Sequence, residues 1–308
     1  MTAATLLCAA AFGPASAQEV CRGTDPRCYH DWAKEQREGN RVLIYTRTAG
    51  PRHPNLGPPL AAGLNPVLGP GNVVQSSLRA WLARAGIEAD WTEDVTRLTN
   101  LHRYKAVIFA STSRDALFAH GRAIDPALAL NTSTNAHLDA ARTALRQYLR
   151  AGGGFVGIHN AFGTEYNWPW YEGLLGGANY YDHGPNQPAT VQTVDRRDVS
   201  TAGLPERWNF TDEWYNLVPY PSNVRVLLTV DERTMAQGVE GSMGHPGHGS
   251  VHPLAWCQYY DGGRAFLTTL GHDAKDFATD GSFVGAAEFQ KLIVGGIQSA
   301  AGMKPFCR

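Results

Sequence analysis

Gly152-Gly153-Gly154-Phe155-Val156-Gly157-Ile158-His159 is the most informative segment for the architecture of this chain. Apolar residues recur at helical spacing just before it, which predicts a helix that begins after Thr134 or Asn135 and ends near Arg150. The glycines stop that helix, and the apolar run that follows is short enough to be a buried central strand. The segment therefore has the helix-to-strand order of a parallel sheet, with His159 directly after the strand.

Short apolar strands and amphipathic helices alternate before this segment. Strands are predicted over 42–45, 89–91 and 106–110, and a helix over 76–85. Later strands are predicted over 189–194, 224–230, 254–260 and 264–270, the last two joined by Asp261-Gly262-Gly263, before a closing helix over 285–300. We therefore predict an α/β fold with a doubly wound, mostly parallel sheet flanked by helices and an added β-rich C-terminal portion.

Composition restricts the class of partner. The chain has 308 residues, 43% of them hydrophobic, and a formal net charge of -1. A nucleic-acid binder or an electrostatic membrane binder needs a strong basic excess, so neither is predicted. No later segment has the run of about 20 apolar residues that a membrane span requires. We expect a small-molecule or oligosaccharide substrate and no nucleotide cofactor, and the sequence leaves the oligomeric state open.

Residues 1–17 have the features of a secretory signal peptide. An apolar run is followed by Ala15-Ser16-Ala17, a small-x-small pattern that predicts cleavage after Ala17. The protein is therefore expected to be periplasmic or secreted. The rest of the chain is predicted to comprise an N-terminal extension over 18–40, a single α/β domain over 41–302 and a C-terminal tail over 303–308.

Four cysteines remain after the predicted cleavage site, namely Cys21, Cys28, Cys257 and Cys307. An even number of cysteines in an oxidising compartment predicts disulfides. Cys21 and Cys28 are the expected pair, because a bond between them would hold an extension that has little core of its own. Pairings of either residue with Cys257 or Cys307 stay open. No Cys-x-x-Cys spacing is present, so a zinc site made of cysteines is not expected.

Flat aromatic side chains and polar groups alternate after the central strand. The segment contains Glu165, Trp168, Trp170, Tyr171, Asp182 and His183. Sugars present apolar C–H faces flanked by hydroxyl groups, so aromatic rings beside carboxylates and imidazoles suit them. We predict that these residues bind a carbohydrate. The alternative is that the aromatic rings pack against the sheet.

Six short motifs are spread over residues 41–302. They are Thr48-Ala49-Gly50-Pro51-Arg52-His53, the glycine-rich segment through His159, Trp168-Pro169-Trp170-Tyr171, Thr211-Asp212-Glu213-Trp214-Tyr215, His252-Pro253-Leu254-Ala255-Trp256, and Gly262-Gly263-Arg264 leading to Leu270-Gly271-His272. Together they resemble the trehalose-utilisation, or ThuA-like, family. The resemblance implies a flavodoxin-like or class I glutamine amidotransferase-like fold. It also implies a role with trehalose and other glycosides, including sugars oxidised at C3 to a ketone.

The turn after the central strand distinguishes this chain from glutamine amidotransferases. Those enzymes have a nucleophilic cysteine there, whereas this chain has His159 followed by Asn160. Without a thiol or hydroxyl at that turn, glutaminase chemistry is not expected. Histidine at the same position can act as a general acid or base, as a hydrogen-bond donor to a ketone, or as a metal ligand.

Three further polar side chains, His53, Glu213 and His272, follow predicted strands and are expected to meet His159 at one sheet edge. A divalent metal is one use of such a site. Its candidate ligands are His159, His183, Glu213 and His272, although the metal requirement stays open. The tract His245-Pro246-Gly247-His248-Gly249-Ser250-Val251-His252 matches no closed zinc spacing, and a metal there is not expected.

The leading functional hypothesis is an exported carbohydrate-active enzyme that acts on a glycoside or a 3-keto sugar. Histidine and carboxylate acid-base chemistry would lead to elimination, isomerisation or glycosidic cleavage. His159 and His272 are assigned the base and donor roles, and Glu213 an orienting or acid role. The predicted substrate-binding residues are His53, Asn160, Glu165, Trp168, Trp170, Tyr171, Asp182, His183, Asp212 and His252.

Two alternatives remain open at this stage. One is a carbohydrate-binding protein without catalytic activity, which would depend on the tryptophans and not on the histidines. The other is glycoside hydrolysis by two carboxylates, which would need two reachable carboxyl groups about 5 to 10 Å apart. The candidates for such a pair are Glu165, Asp182, Asp212 and Glu213.

Overall fold

The computed structural model describes residues 20–37, 39–117, 136–278 and 282–308. The predicted signal peptide and the predicted helix start at Thr134 or Asn135 lie outside these residues. Among the described residues, no helix combines the length and the apolar character needed to cross a membrane.

Strands and helices follow one another in the predicted order. The strands are β1 (Arg22–Gly23), β2 (Arg41–Tyr45), β3 (Glu88–Thr92), β4 (Ala106–Ala110), β5 (Gly154–Ile158), β6 (Tyr180–His183), β7 (Gln187–Thr193), β8 (Arg207–Asp212), β9 (Tyr215–Leu217), β10 (Arg225–Asp231), β11 (His252–Tyr260) and β12 (Gly263–Thr268). The helices are α1 (Val73–Arg84), α2 (Ala136–Arg150), α3 (Pro169–Leu174) and α4 (Ala286–Ala300). Every predicted element is present with small differences at its ends, and β1, β6, β8, β9 and α3 are additional.

One sheet of ten strands organises the described part of the chain, in the order β3-β2-β4-β5-β12-β11-β10-β7-β8, with β1 paired to β11. The strands from β3 to β12 in this order run parallel to one another. From β12 onward each neighbour is antiparallel. The prediction of a mostly parallel α/β sheet with an added β-rich portion is confirmed.

Both faces of the parallel part of the sheet are covered, so its central strands are apolar throughout. Every residue of β4 and β5 is buried. Val156 and Ile158 of β5 join the core that contains residues of α1 and α4. Phe155 points the other way, into the core that contains residues of α2 and α3. This alternation is what a doubly wound sheet requires.

The carboxyl ends of the parallel strands lie at one edge of the sheet, and the antiparallel portion adds to the same edge. Counting directions outward from β12, β10 and β8 run the same way as the parallel strands, and β11 runs the opposite way. The residues after β2, β5, β8, β10 and β12 therefore share this edge with the first residue of β11. Ligands of open α/β sheets bind at such an edge.

Two disulfides tie the chain ends to the sheet. Cys21 and Cys28 are bonded, as expected, and the second bond joins Cys257 on β11 to Cys307 near the C-terminus. The N-terminal extension also pairs β1 with the end of β11. The described part of the N-terminal extension and the segment around Cys307 are therefore both held to strand β11.

Candidate functional site

Four side chains from distant parts of the sequence meet at the carboxyl edge of the sheet. They are His53, His159, Glu213 and His272, named here the central cluster, and one nitrogen or oxygen atom from each lies within 4.8 Å of the others. His53 follows β2, His159 follows β5, Glu213 follows β8 and His272 follows β12. The structure thus brings together the four residues that sequence reasoning placed at strand ends.

His159 forms the base of the central cluster. It is fully buried, and its backbone has a φ of 51°, a left-handed conformation that non-glycine residues rarely adopt outside functional sites. Its Nδ1 lies 2.9 Å from the carbonyl oxygen of Thr269. Because a carbonyl can only accept, Nδ1 carries the proton and a neutral ring has its lone pair on Nε2.

Two groups approach the lone pair on His159 Nε2. The Tyr215 hydroxyl lies 2.8 Å away and His53 Nε2 lies 3.1 Å away. One lone pair can accept only one well-directed hydrogen bond. By distance, the Tyr215 hydroxyl is the better donor to His159 Nε2. The close approach of His53 Nε2 is then not explained by a hydrogen bond.

Glu213 lies between three histidines. Its Oε2 is 3.0 Å from His272 Nδ1 and 4.0 Å from His159 Nε2, and its Oε1 is 3.5 Å from His183 Nε2. The contact with His272 has the distance of a hydrogen bond without its direction, since Nδ1 has no hydrogen-bond partner in the part of the chain that the structure describes. His183 donates its Nδ1 proton to the Gly184 carbonyl at 2.6 Å, so its Nε2 faces the carboxylate from outside the central cluster.

Burial and mutual charge set the protonation of the central cluster. Burial, together with the charge of the neighbouring His272, lowers the pKa of His53 to about 4. Burial also lowers the pKa of His159 far below its usual value, aided by His53 and His272. Both rings are therefore neutral near pH 7.

Glu213 and His272 change each other's pKa in opposite directions. Burial acts to raise the pKa of Glu213, but contact with His272 and the charges of the surrounding histidines leave that pKa lowered overall. Burial acts to lower the pKa of His272, yet contact with Glu213 and its charge leave that pKa raised. Glu213 is thus held as a carboxylate that can accept a proton or bind a cation.

Asp212 holds the loops of the central cluster together. It is fully buried and accepts hydrogen bonds from the backbone N–H groups of Gly271 at 2.8 Å, His272 at 3.3 Å and Glu213 at 2.8 Å. Burial raises its pKa to about 7 in spite of these bonds. Asp212 therefore positions the backbone of Glu213 and His272, and its predicted contact with substrate stays a prediction.

A second group of the same residue types lies beside the central cluster. It consists of Glu232, His245, His248 and His252, named here the loop cluster. His252 is buried and contacts oxygen acceptors with both nitrogens: the Tyr215 carbonyl at 3.0 Å and Glu232 at 2.7 Å. His248 Nε2 accepts the Leu217 N–H at 3.0 Å. His252 thus contacts the backbone of Tyr215, and its predicted contact with substrate stays a prediction.

The aromatic segment after the central strand packs mainly into the protein. Trp170 and Tyr171 are buried in the core on the α2 and α3 face, where Trp170 donates to Asp261 and Tyr171 to the Ala161 carbonyl. Trp168 is half-buried, stacks on Trp170 at 4.8 Å and lies under the Arg142 guanidinium. The packing of Trp170 and Tyr171 agrees with the stated alternative, in which the aromatic rings pack against the sheet, and sugar binding by this segment stays a prediction.

Three other predicted binding residues have structural partners. Glu165 is buried and accepts from Arg142 and from the Leu117 N–H. Asp182 is buried and accepts from Asn216 and from the backbone N–H groups of two loop residues, Met243 and His245. Asn160 is buried against Gly163. Of the four carboxylates considered for glycoside hydrolysis, only Glu213 is partly exposed.

Sequence reasoning missed two contributors to the site. Tyr215 and the Thr269 carbonyl both contact His159, and neither was assigned a role. A signal existed for Tyr215, because it lies two residues after Glu213 within a motif already singled out. No signal existed for Thr269, since a backbone carbonyl contributes through its position alone.

The fold and the site define an α/β protein with a mostly parallel sheet, in which a buried histidine, His159, follows the central strand at the carboxyl edge. The chain belongs to the ThuA family, described as trehalose utilisation, whose model matches residues 41–300. The resemblance seen in the sequence motifs is confirmed.

Solved structures support the fold. A protein described as ThuA-like from Bacteroides uniformis ATCC 8492 is 21% identical, with a TM-score of 0.58 over 86% of this chain and 95% of that one. A second protein described as ThuA-like, from Parabacteroides merdae ATCC 43184, is 17% identical, with a TM-score of 0.57 over 87% of this chain and 91% of that one. At these identities the likeness concerns the fold. Among curated proteins, none matches the chain.

Proposed function

We propose that the protein is a carbohydrate-active enzyme that acts on a glycoside or a 3-keto sugar by proton transfer at the central cluster. The observation that carries this proposal is the convergence of three imidazoles and one ionised carboxylate from four separate strand ends. Membership of a family described as trehalose utilisation supplies the substrate class. The imidazoles and carboxylate supply the acid-base chemistry.

The reaction that suits these groups begins at a C–H bond next to a ketone. In a 3-keto glycoside, a base removes the proton from C2, and the bonding electrons move toward the ketone oxygen to form an enolate. The enolate then expels the glycosidic oxygen from C1, which leaves with a proton from an acid. A base, a donor at the ketone oxygen and an acid for the leaving group complete the balance.

The residues of the site can take these parts. Two partly exposed side chains can accept a proton. They are Glu213, which is held as a carboxylate, and His183, whose Nε2 carries no proton when the ring is neutral. Burial raises the pKa of Tyr215 far above its usual value, so its hydroxyl stays protonated. His159 is too deeply buried to reach a sugar directly, which makes it a positioning residue in this scheme.

Export is part of the proposal. Disulfides persist in oxidising compartments, and the two bonds Cys21–Cys28 and Cys257–Cys307 fit such a location. Together with the predicted signal peptide over residues 1–17, they support a periplasmic or secreted enzyme.

The test is a turnover assay in D2O with trehalose, cellobiose and their 3-keto forms. Proton abstraction at C2 followed by addition of water predicts sugar products that carry one deuterium at C2, which mass spectrometry and NMR detect. Direct hydrolysis of the glycosidic bond leaves C2 unlabelled. Glu213→Gln and His183→Ala are expected to lower the rate, with Glu240→Gln as a control because Glu240 is exposed.

The outcomes separate the candidate functions. Labelled products from keto sugars, lost in Glu213→Gln, support the proposal. Unlabelled products would contradict the proton-transfer step. Binding without turnover in every variant would leave a carbohydrate-binding protein.

A further inference from the structure

The central cluster has more lone pairs directed at one point than its hydrogen bonds use. His159 Nε2 is approached by both Tyr215 and His53, although its single lone pair can accept from only one of them. Within the described residues, His272 Nδ1, which lies 3.0 Å from Glu213 Oε2, is buried without a hydrogen-bond partner. A bound cation would use lone pairs that the protein alone leaves in conflict.

We propose that the central cluster binds one divalent transition-metal ion through His53, His159, His272 and Glu213. The inference deepens the proposed function by naming its cofactor, and the catalytic use of the ion rests on that function. Binding of the ion itself does not, because it follows from the geometry of these four side chains.

The distances fit ligands that share one ion. Metal-to-ligand bonds of about 2.1 Å place neighbouring ligand atoms about 3.0 Å apart at right angles and opposite ones about 4.2 Å apart. The two close pairs, His53 with His159 and His272 with Glu213, are separated by 3.1 and 3.0 Å. Across the pairs, His159 and Glu213 are 4.0 Å apart. Ligand atoms separated by both short and long distances favour an octahedral site with two open positions over a closed tetrahedral site.

Groups outside the ligand set already hold the ligands in metal-binding form. The Thr269 carbonyl takes the Nδ1 proton of His159, which fixes the tautomer with Nε2 unprotonated. Asp212 anchors the backbone of both Glu213 and His272. Asn55 donates to the carbonyls of Gly271 and His272 and fixes the same loop from the other side. Ligands held in this way lose little entropy when an ion binds.

The ligand types decide the class of ion. Three imidazoles and one carboxylate suit Zn²⁺, Fe²⁺, Co²⁺, Ni²⁺ or Mn²⁺, whereas Ca²⁺ and Mg²⁺ prefer oxygen ligands. An ion at this place would have open positions for the ketone and an adjacent hydroxyl of a keto sugar. It would draw charge onto the ketone oxygen as a Lewis acid, while His183 and Tyr215 stay outside the ligand set for proton transfer.

His183 and the loop cluster were the other metal candidates in this chain. His183 approaches Glu213 through Oε1, the oxygen that does not face His159, so it lies outside the proposed ligand set. In the loop cluster, His245 Nδ1 accepts the Gly247 N–H and His248 Nε2 accepts the Leu217 N–H. Those lone pairs accept backbone N–H groups, whose direction is fixed, whereas the lone pair of His159 Nε2 accepts from the Tyr215 hydroxyl, which can rotate away. His245→Ala is therefore the matched control for loss of a ligand.

The experiment uses the full chain without affinity histidines, stripped with chelator and then titrated with Co²⁺ and Zn²⁺. Metal content after gel filtration and calorimetry are expected to give one ion per chain, and Co²⁺ gives a visible absorption band that reports its ligands. His53→Ala and His272→Ala are each expected to weaken binding by at least about 100-fold. Glu213→Gln is expected to shift the Co²⁺ band, and His245→Ala to bind like the wild type.

Near-UV circular dichroism shows whether each variant is folded, and a variant that fails to fold is replaced by the corresponding glutamine. Substoichiometric binding by the wild type, or binding lost in His245→Ala and kept in His53→Ala, overturns the site. Metal binding without turnover of keto sugars upholds the site and rejects the proposed function. Turnover by metal-free protein supports the proposed function and rejects the catalytic use of the ion, while the binding measurements alone decide the site.

Discussion

The central cluster and the loop cluster contain the same residue types, three histidines and one glutamate, and lie at the same edge of the sheet. In the loop cluster the ring nitrogens pair with backbone N–H groups, a carbonyl or Glu232. In the central cluster the ring nitrogens face one another and Glu213. The difference teaches that histidine content does not identify a reactive site. A reactive site is identified by the partners of the ring-nitrogen lone pairs.

The largest expected effect is on turnover, and it distinguishes Glu213 of the central cluster from Glu232 of the loop cluster. Glu213→Gln should lower turnover of a keto sugar by about 10² to 10⁴-fold, because an amide can neither accept the proton nor balance the charge of the cluster. Glu232→Gln should instead lower mainly the free energy of unfolding, since Glu232 accepts from His252 and two backbone N–H groups. Steady-state kinetics and urea unfolding of both variants check the contrast. Equal kinetic losses would contradict it.

The free energy of unfolding should depend more on a histidine of the loop cluster than on one of the central cluster. His252→Ala leaves the Tyr215 carbonyl and Glu232 without their partner, and we expect a loss of about 2 kcal/mol or more in unfolding free energy. His53→Ala removes a ring whose Nδ1 has no partner among the described residues, and we expect a change within about 1 kcal/mol. Chelator-treated protein must be used for both. A larger loss for His53→Ala would reverse the comparison.

Tyr215 connects the two clusters, since its hydroxyl contacts His159 and its carbonyl accepts from His252. Tyr215→Phe removes only the first contact. One hydrogen bond of about 1.4 kcal/mol corresponds to about a tenfold fall in kcat, with KM little changed. Tyr220→Phe is the matched control, because Tyr220 is 43% exposed and its hydroxyl bonds to the Val251 carbonyl. Similar kinetics for both variants would remove Tyr215 from the mechanism.

A further expected effect concerns the pH dependence of stability. Burial lowers the pKa of His248 to about 4 from 6.5, and protonation would destroy its acceptor contact with the Leu217 N–H. Between these values the unfolded chain binds more protons than the folded one, so stability falls as the pH is lowered from about 6.5 to about 4. His248→Gln should make this fall shallower in urea unfolding series. An unchanged slope would show that His248 does not titrate on unfolding.

The fold was largely predictable from the sequence. The apolar runs at β2, β4 and β5 are short and continuous because both faces of the sheet are covered, and the Asp261-Gly262 turn between β11 and β12 has an unmistakable composition. Strands β6 and β9 were missed because they are short and carry polar residues. They form a separate two-stranded sheet, so tertiary contacts decide their conformation.

The site was predictable only in part. Polar residues after parallel strands must lie at one edge, which was enough to group His53, His159 and His272. The burial of Trp170 and Tyr171 was not predictable, because exposure is a property of the packed structure. Trp170 and Tyr171 use their polar atoms inside the core, and no spacing rule distinguishes that from a sugar platform.

The long sequence separation within the central cluster has a consequence for how the protein folds. Its members lie at positions 53, 159, 213 and 272, so the cluster is complete only after strands from both halves of the chain have joined one sheet. Contacts of such high contact order form late, because the intervening chain must first be closed into loops. No short fragment can contain the cluster. An ion or sugar bound there therefore reports the assembly of the whole sheet.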